Sequence, residues 1–258
     1  MNRIEATFKD LKQQNRPALI TYIMAYDPDL ATSQEILNGL PEAGADIVEL
    51  GMPFSDPMAD GPTIEEAGIR ALKAGAKVSG IVEMVRSFRK NNNETPIVLM
   101  GYYNPIQNYG LERFAKEAGN AGVDGLLIVD LPPEEDEELY NITKANGINL
   151  IKLASPTSND ERLKLISKKA SGFLYYVAVA GVTGAKSASY DSIGDAVFRI
   201  KKHTDIPVAV GFGIKTAEDV KAVGKHADAV VVGSALVNKI AESGSKKALE
   251  FVTELKVE

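Results

Sequence analysis

The sequence predicts an α/β protein, a single (β/α)8 (TIM) barrel over residues 1–258 with an extra N-terminal helix and insertions after strands two and six. Short apolar runs alternate with longer amphipathic segments along the whole chain, which is the pattern of strand–helix units around a parallel sheet. Eight such runs occur, and most are apolar on both faces, as in strands covered by helices on one side and packed side chains on the other. The 258 residues, 45% of them hydrophobic, suit one large core.

The elements follow in order. The first segment, M-N-R-I-E-A-T-F-K-D-L-K, is charged and has the pattern of a helix rather than of a signal sequence. The candidate strands are 18–24, 46–51, 96–101, 125–129, 149–153, 172–179, 207–211 and 229–233. Three strands are entered through similar phrases that contain an Asp, namely A-G-A-D-I-V-E-L-G at 43, A-G-V-D-G-L-L-I-V-D at 121 and K-H-A-D-A-V-V-V-G at 225. Their irregular spacing indicates a repeated unit with insertions.

Two connections are longer than the others. The first runs from residue 52 to about residue 75, where Pro62 and the pattern Thr63-x-x-Glu66 predict the start of an additional helix. The second is the small, glycine-rich stretch 180–192 after strand six. In barrels of this type the loops that follow the strands form the active face, so both insertions are predicted to border the site.

Composition excludes several classes of function. The formal net charge is −6 and the basic residues form no stripe, which argues against a nucleic-acid partner. There is no cysteine, and the two histidines, His203 and His226, are far apart in the chain, so no metal site is predicted. No apolar run approaches the roughly 20 residues that span a bilayer. A cytoplasmic protein is predicted.

Two carboxylates are the strongest candidates for chemistry. The segment V-E-L-G-M-P-F-S-D-P-M-A-D-G-P at 48–62 places Glu49 inside an apolar strand and Asp60 on the loop that follows. Burying an unpaired carboxylate costs several kcal/mol or forces it to keep its proton, so Glu49 is predicted to be a proton donor. Two simpler readings stay open. Glu49 could be satisfied by a buried partner such as Tyr175, and Asp60 could serve only as a turn or helix cap.

Three glycine motifs after the last strands predict an anion site. They are Gly181-Val182-Thr183-Gly184, Gly211-Phe212-Gly213 and Gly233-Ser234. Glycines let main-chain N–H groups approach a phosphate, and the N-terminus of a helix adds its dipole. Each motif alone could be an ordinary turn, but their joint position after strands six, seven and eight matches the common phosphate site of such barrels.

The motifs together resemble those of the tryptophan synthase alpha subunit family over essentially the whole chain. The matching segments are P-F-S-D-P-M-A-D-G-P-T-I at 53–64, with Glu49 upstream, G-Y-Y-N-P at 101, D-L-P at 130, A-G-V-T-G at 180 and G-F-G-I at 211. The resemblance implies retro-aldol cleavage of indole-3-glycerol phosphate to indole and glyceraldehyde 3-phosphate. It also implies that this chain needs no cofactor and that pyridoxal phosphate belongs to a partner beta subunit, which receives the indole.

The resemblance further implies roles for individual residues. Glu49 is the general acid and base, Asp60 accepts the indole N–H, and Tyr175 orients the substrate or Glu49. Thr183 hydrogen-bonds Asp60 when the strand-six loop closes.

The phosphate site that the resemblance implies comprises Gly184, Gly213, Gly233 and Ser234, with Gly211 beside it. The indole pocket comprises Tyr22, Ile64, Leu99, Tyr102, Leu153 and Phe212, each of which could equally be core. Some members carry an arginine just before the A-G-V-T-G motif, whereas this chain reads V-A-V-A-G, so it lacks any latch that arginine supplies.

The partner surface is also implied by the resemblance. It comprises Pro53, Phe54 and Asp56 after strand two, Asn104 and Pro105 after strand three, and Pro132 after strand four. These tips could instead be rigid loops. The family resemblance implies an alpha-beta-beta-alpha heterotetramer in which the beta subunit raises turnover.

Two other functions stay open from the residues. Lys152 lies on a strand, so a Schiff-base aldolase on the same scaffold is possible, although strand lysines are usually paired or extend to the rim. A barrel that binds the ligand and activates a partner without chemistry is the other alternative. Such a non-catalytic barrel would keep its function in the variant Glu49→Gln.

Overall fold

The computed structural model describes residues 2–178, 190–211 and 213–256 and contains a closed barrel of eight parallel strands. The strands follow one another around the barrel in chain order, and β8 pairs with β1. They are β1 (Ala18–Met24), β2 (Ile47–Gly51), β3 (Ile97–Gly101), β4 (Gly125–Ile128), β5 (Asn149–Ala154), β6 (Leu174–Val177), β7 (Val208–Gly211) and β8 (Ala229–Val232). The predicted α/β barrel and all eight predicted strands are confirmed.

Helices cover the outside of the barrel. Those in the described residues are α1 (Arg3–Gln13), α2 (Leu30–Ala43), α3 (Pro62–Lys73), α4 (Val78–Arg89), α5 (Tyr103–Tyr109), α6 (Leu111–Ala121), α7 (Glu137–Ala145), α8 (Asp160–Lys169), α9 (Tyr190–Lys201), α10 (Ala217–Gly224) and α11 (Ser234–Leu255). The predicted N-terminal helix is α1, and the predicted additional helix after strand two is α3. Most of the insertion after strand six lies outside the described residues.

The start of α3 differs from the prediction in one detail. Gly61 is the N-cap and Pro62 is the first helical residue, with no side-chain cap. Thr63 is therefore already inside the helix, and the capping box predicted from Thr63 and Glu66 is wrong. The fixed φ of Pro62 suits the first helical turn, where its missing N–H has no partner to lose.

The core has two layers that follow the alternation of strand side chains. Residues such as Ile47, Val98 and Ile151 point into the barrel, and α1 closes its base with Ile4 and Phe8 in the same cluster. The alternate strand residues pack outward against the helices. Because successive side chains in a strand face opposite sides, each strand contributes to both layers.

The Asp residues of the three similar strand-entry segments have the same structural role. Asp46, Asp124 and Asp228 each precede a strand, and each carboxylate accepts a backbone N–H from the strand before it, at 2.8 Å. Each of these carboxylates also forms a salt bridge with a basic side chain. For Asp46 that side chain is Arg16. The repeated Asp therefore joins adjacent strands at the base of the barrel, away from the mouth. Among the described helices, none has the length and apolar character needed to cross a membrane.

Candidate active site

A cavity of about 840 Å³ opens at the carboxyl ends of the strands. Loops and strand ends from most of the barrel line it, as expected for the active face of this architecture. Ten of the predicted site residues line it, namely Tyr22, Glu49, Asp60, Ile64, Leu153, Tyr175, Gly211, Gly213, Gly233 and Ser234. The structure therefore brings both candidate carboxylates and three of the predicted glycines to one cavity.

Glu49 lies on β2, between Tyr22 of β1 and Val98 of β3 in the strand register. Its side chain is fully buried, and neither carboxyl oxygen has a hydrogen-bond partner among the described residues. The alternative in which Tyr175 satisfies Glu49 by a hydrogen bond is therefore not observed. Burial raises the pKa of Glu49 to about 8, because the charged form loses its hydration. At neutral pH this carboxyl holds its proton.

Asp60 lies in a different environment, on the loop that leads into α3. Its side chain is half-buried, and the hydroxyl of Tyr102 donates to its Oδ1 at 3.0 Å. Burial raises the pKa of Asp60, while the bond from Tyr102 opposes that rise because it favours the charged form. The backbone N–H of Asp60 closes a turn to Pro57, but its carboxylate faces the cavity and caps no helix. Asp60 is thus more than a turn residue.

Two tyrosine side chains, buried Tyr22 and half-buried Tyr175, extend across glycines of the neighbouring strands. A Cβ on Gly51 would lie 2.2 Å from the hydroxyl oxygen of Tyr22, and a Cβ on Gly211 would lie 2.4 Å from that of Tyr175. Real Cβ atoms do not approach other atoms this closely, so both positions require glycine for the tyrosines to keep their places. The structure gives Gly211 a packing role beside Tyr175.

The described part of the predicted anion site lies at the ends of β7 and β8. Gly213 has φ 53°, a left-handed conformation that favours glycine. Ser234 is the first residue of α11, so the free N–H groups of that helix start at the cavity. Thr183, Gly184 and Phe212 lie outside the described residues.

The apolar wall of the cavity differs from the prediction in two places. Leu99 is wrong as a pocket residue, because its side chain faces the helices in the outer core, whereas the next residue, Met100, lines the cavity. Tyr102 is not a lining residue, and it reaches the site through its bond to Asp60. Strand alternation was the signal that could have identified Met100, since Glu49 and Val98 are paired and face inward.

One side of the cavity was missed altogether. It is the polar segment after β5 and the first turn of α8, which contributes Ser155, Thr157, Ser158, Asn159 and Arg162. The sequence A-S-P-T-S-N-D marks this segment as a loop after a strand, and its place at the active face was the available signal. Neither histidine lines the cavity.

Lys152 does not reach the cavity. Its ammonium pairs with Asp136, a fully buried carboxylate that also binds Lys169 Nζ at 2.8 Å. Burial lowers the pKa of Lys152, and the Asp136 carboxylate opposes this. Lys152 alternates with the inward-facing Ile151 and Leu153, so it points outward between strand and helices. This geometry contradicts the Schiff-base alternative.

The predicted partner residues lie in the segments that follow β2, β3 and β4, and none of them lines the cavity. Asp56, Asn104 and Pro132 are exposed, while Pro53, Phe54 and Pro105 are half-buried. The ring of Phe54 packs on that of Tyr102, with centroids 5.5 Å apart and planes inclined by 37°.

Comparison with known proteins identifies the family of this chain. The family model described as tryptophan synthase alpha chain matches residues 8–257. The fold is similar to tryptophan synthase subunit alpha from Legionella pneumophila str. Paris, at 39% identity and a TM-score of 0.91, covering 99% of this chain and 98% of that one. A protein from Aquifex aeolicus VF5 has 40% identity and a TM-score of 0.92, with coverages of 99% and 98%. Tryptophan synthase from Mycobacterium tuberculosis has 35% identity and a TM-score of 0.92, with coverages of 98% and 96%. The chain therefore belongs to the tryptophan synthase alpha chain family, the lyases that cleave indole-3-glycerol phosphate.

Proposed function

We propose that this chain cleaves indole-3-glycerol phosphate by proton transfer through Glu49, with Asp60 stabilising the charge on the indole ring. One observation carries the assignment: two carboxyl groups with different environments face one cavity. Glu49 has no hydrogen-bond partner among the described residues and keeps its proton at neutral pH. Asp60 has a donor, Tyr102, that favours its charged form. Carboxyl groups whose environments separate their pKa values can divide acid and base roles.

The proposed reaction needs two proton transfers. Glu49 protonates ring carbon C3, and the positive charge that develops spreads to the ring nitrogen, whose N–H donates to the Asp60 carboxylate. The Glu49 carboxylate then removes the proton of the hydroxyl next to the scissile bond. A carbonyl forms as the bond to C3 breaks, and the bonding electrons restore the neutral indole ring. Glu49 is protonated again, so the cycle consumes nothing but substrate.

The phosphate end of the substrate would bind at Gly213, Gly233 and Ser234. Main-chain N–H groups and the N-terminus of α11 favour binding of an anion there, so no lysine is required. Gly184 is proposed to complete the phosphate site, and Thr183 is proposed to hydrogen-bond Asp60. The steps above use only side chains and substrate, so we propose that this chain works without a cofactor.

We further propose that the chain acts with a beta subunit that carries pyridoxal phosphate, in an alpha-beta-beta-alpha assembly, and passes indole to it. Membership of the tryptophan synthase alpha chain family supports this partnership. Exposed Asp56, Asn104 and Pro132 lie in the segments that follow β2, β3 and β4, with Asn104 in the first turn of α5.

Steady-state kinetics of Glu49→Gln and Asp60→Asn test the proposal. Each variant should lose about a hundredfold or more in kcat, since general acid–base and electrostatic groups typically contribute that much. Binding of a non-cleavable analogue without the reacting hydroxyl should persist in both. The matched control is Glu112→Gln, an exposed glutamate of α6, which should behave as the parent. Full indole release by Glu49→Gln would contradict the acid–base role of Glu49. A parent chain that binds the ligand but releases no indole, with or without a beta subunit, would instead favour a barrel that only activates a partner.

A further inference from the structure

Tyr102 lies between the proposed partner surface and the Asp60 carboxylate. It follows β3 as the N-cap of α5, and it is almost fully buried, at 2% exposure. Its hydroxyl makes two hydrogen bonds to one short segment of the β2–α3 loop. It accepts from the backbone N–H of Ala59 at 3.0 Å and donates to Oδ1 of Asp60 at 3.0 Å. One phenol thus fixes both the backbone and the side chain at the end of this loop.

The ring of Tyr102 packs against the start of the same loop. Phe54 lies on it with a centroid separation of 5.5 Å. The next residue in the chain, Tyr103, donates its backbone N–H to Asp130 at 2.8 Å, and Asn104 follows on α5. The segments that follow β2, β3 and β4 therefore meet at Tyr102 and Tyr103, and each of them carries a residue of the proposed partner surface.

We propose that Tyr102 is a positioning residue for the cleavage reaction, which presents the Asp60 carboxylate to the cavity and transmits docking of the beta subunit at Phe54 to that carboxylate. The inference rests on the proposed function. Contact of the partner with Phe54 shifts the Tyr102 ring on which Phe54 packs. Because the Tyr102 hydroxyl is hydrogen-bonded to Ala59 and Asp60, these two residues shift with it. Burial raises the pKa of Tyr102, so its hydroxyl stays a donor over the working pH range.

Removing this hydroxyl has a predictable sign. The bond from Tyr102 favours ionised Asp60, so in Tyr102→Phe the pKa of Asp60 rises. The acid limb of the kcat/KM profile should move to higher pH by about one unit, and kcat/KM at neutral pH should fall roughly tenfold. Among the residues that the structure describes, the other titratable groups that face Asp60, act on Tyr102 or line the cavity are Tyr22, Glu49, Glu65, Asp130, Arg162, Tyr175 and Lys215. The substitution leaves all of them in place.

The test compares the parent, Tyr102→Phe, Phe54→Ala and the double variant, each with and without a beta subunit. We expect the activation factor to fall in both single variants and to fall no further in the double variant, because the two residues act in series. The control is Tyr103→Phe, which removes the hydroxyl of the adjacent, half-buried tyrosine and should keep the parent's pH profile and activation.

The outcomes separate this inference from the proposed function. Tyr102→Phe with the acid limb and activation factor of the parent would overturn the positioning role, even though the parent releases indole. Independent, additive losses in the double variant would overturn the transmission from Phe54. A parent chain that releases no indole would instead remove the proposed function itself.

Discussion

Replacing Glu49 by Gln should make the protein more stable while it lowers kcat about a hundredfold or more. Glu49 is fully buried without a hydrogen-bond partner in the described structure, and its pKa rises from 4.5 to about 8 on folding. The folded state therefore binds this proton more tightly than the unfolded chain does. Between pH 4.5 and about 8, Glu49 ionises in the unfolded chain but not in the folded protein, and this ionisation lowers the free energy of the unfolded chain. The free energy of unfolding therefore falls as pH rises through this window.

The magnitude follows from the same two values. At about 1.36 kcal/mol for each pH unit, the difference between 4.5 and about 8 corresponds to roughly 5 kcal/mol of stability lost by pH 8. The corresponding loss at pH 7 is roughly 3 kcal/mol. Glutamine has nearly the same shape and cannot ionise, so Glu49→Gln escapes this loss. The variant should equal the parent below about pH 4.5, exceed it increasingly up to about pH 8, and keep a constant advantage above that pH.

Urea unfolding at pH 5, 7 and 9 measures this difference. Glu42→Gln, at an exposed glutamate of α2, is the control and should follow the parent at every pH. Curves of stability against pH that run parallel for the parent and Glu49→Gln would refute the reasoning, because Glu49 would then titrate alike in folded and unfolded chains.

Three further predictions concern packing around the site. Arg70→Met should lower the free energy of unfolding in urea by about 2 kcal/mol, because buried Asp27 loses its bidentate partner; the effect is below that of a fully buried pair since Arg70 is 32% exposed. Gly211→Ala should lower kcat/KM about tenfold or more in steady-state kinetics, because its Cβ would displace Tyr175. Lys152→Met should lower the urea midpoint yet keep indole release within about threefold, because the lysine pairs outside the cavity.

Each of these predictions has its own control. Asp27→Asn added to Arg70→Met should recover part of the lost stability, and equal stability of Arg70→Met and the parent would count against the pair. Gly68→Ala places its Cβ at an ordinary 3.7 Å from Met24 and should not slow turnover. Trapping of a substrate adduct by borohydride in the parent, absent from Lys152→Met, would revive the aldolase alternative.

Strand patterns predicted most of what positions the site. Apolar runs located all eight strands, and the structure places Glu49 inward together with Ile47, as alternation along β2 requires. The same alternation favours Met100 over Leu99 as a cavity residue, whereas the family resemblance implies Leu99. A shift of one residue in a strand moves a side chain from the cavity to the outer core.

Contacts between loops were beyond the sequence. The bond from Tyr102 to Asp60 and the packing of Phe54 on Tyr102 join segments after different strands, and no local pattern reports how such loops meet. The bidentate pair of Asp27 with Arg70 is of the same kind. Such contacts depend on tertiary packing of the barrel, whereas propensity and spacing describe only neighbours in the chain.

The central claim is that the protonated carboxyl of Glu49 donates the proton that starts cleavage. Infrared difference spectra of the parent minus Glu49→Gln, recorded from pH 4 to 10, would follow this carboxyl directly beside the pH profile of indole release. We predict a carboxyl band that disappears with a midpoint near 8, together with an alkaline limb of kcat/KM at the same pH. A carboxyl that ionises near pH 4.5 while indole release persists to pH 8 would contradict the account.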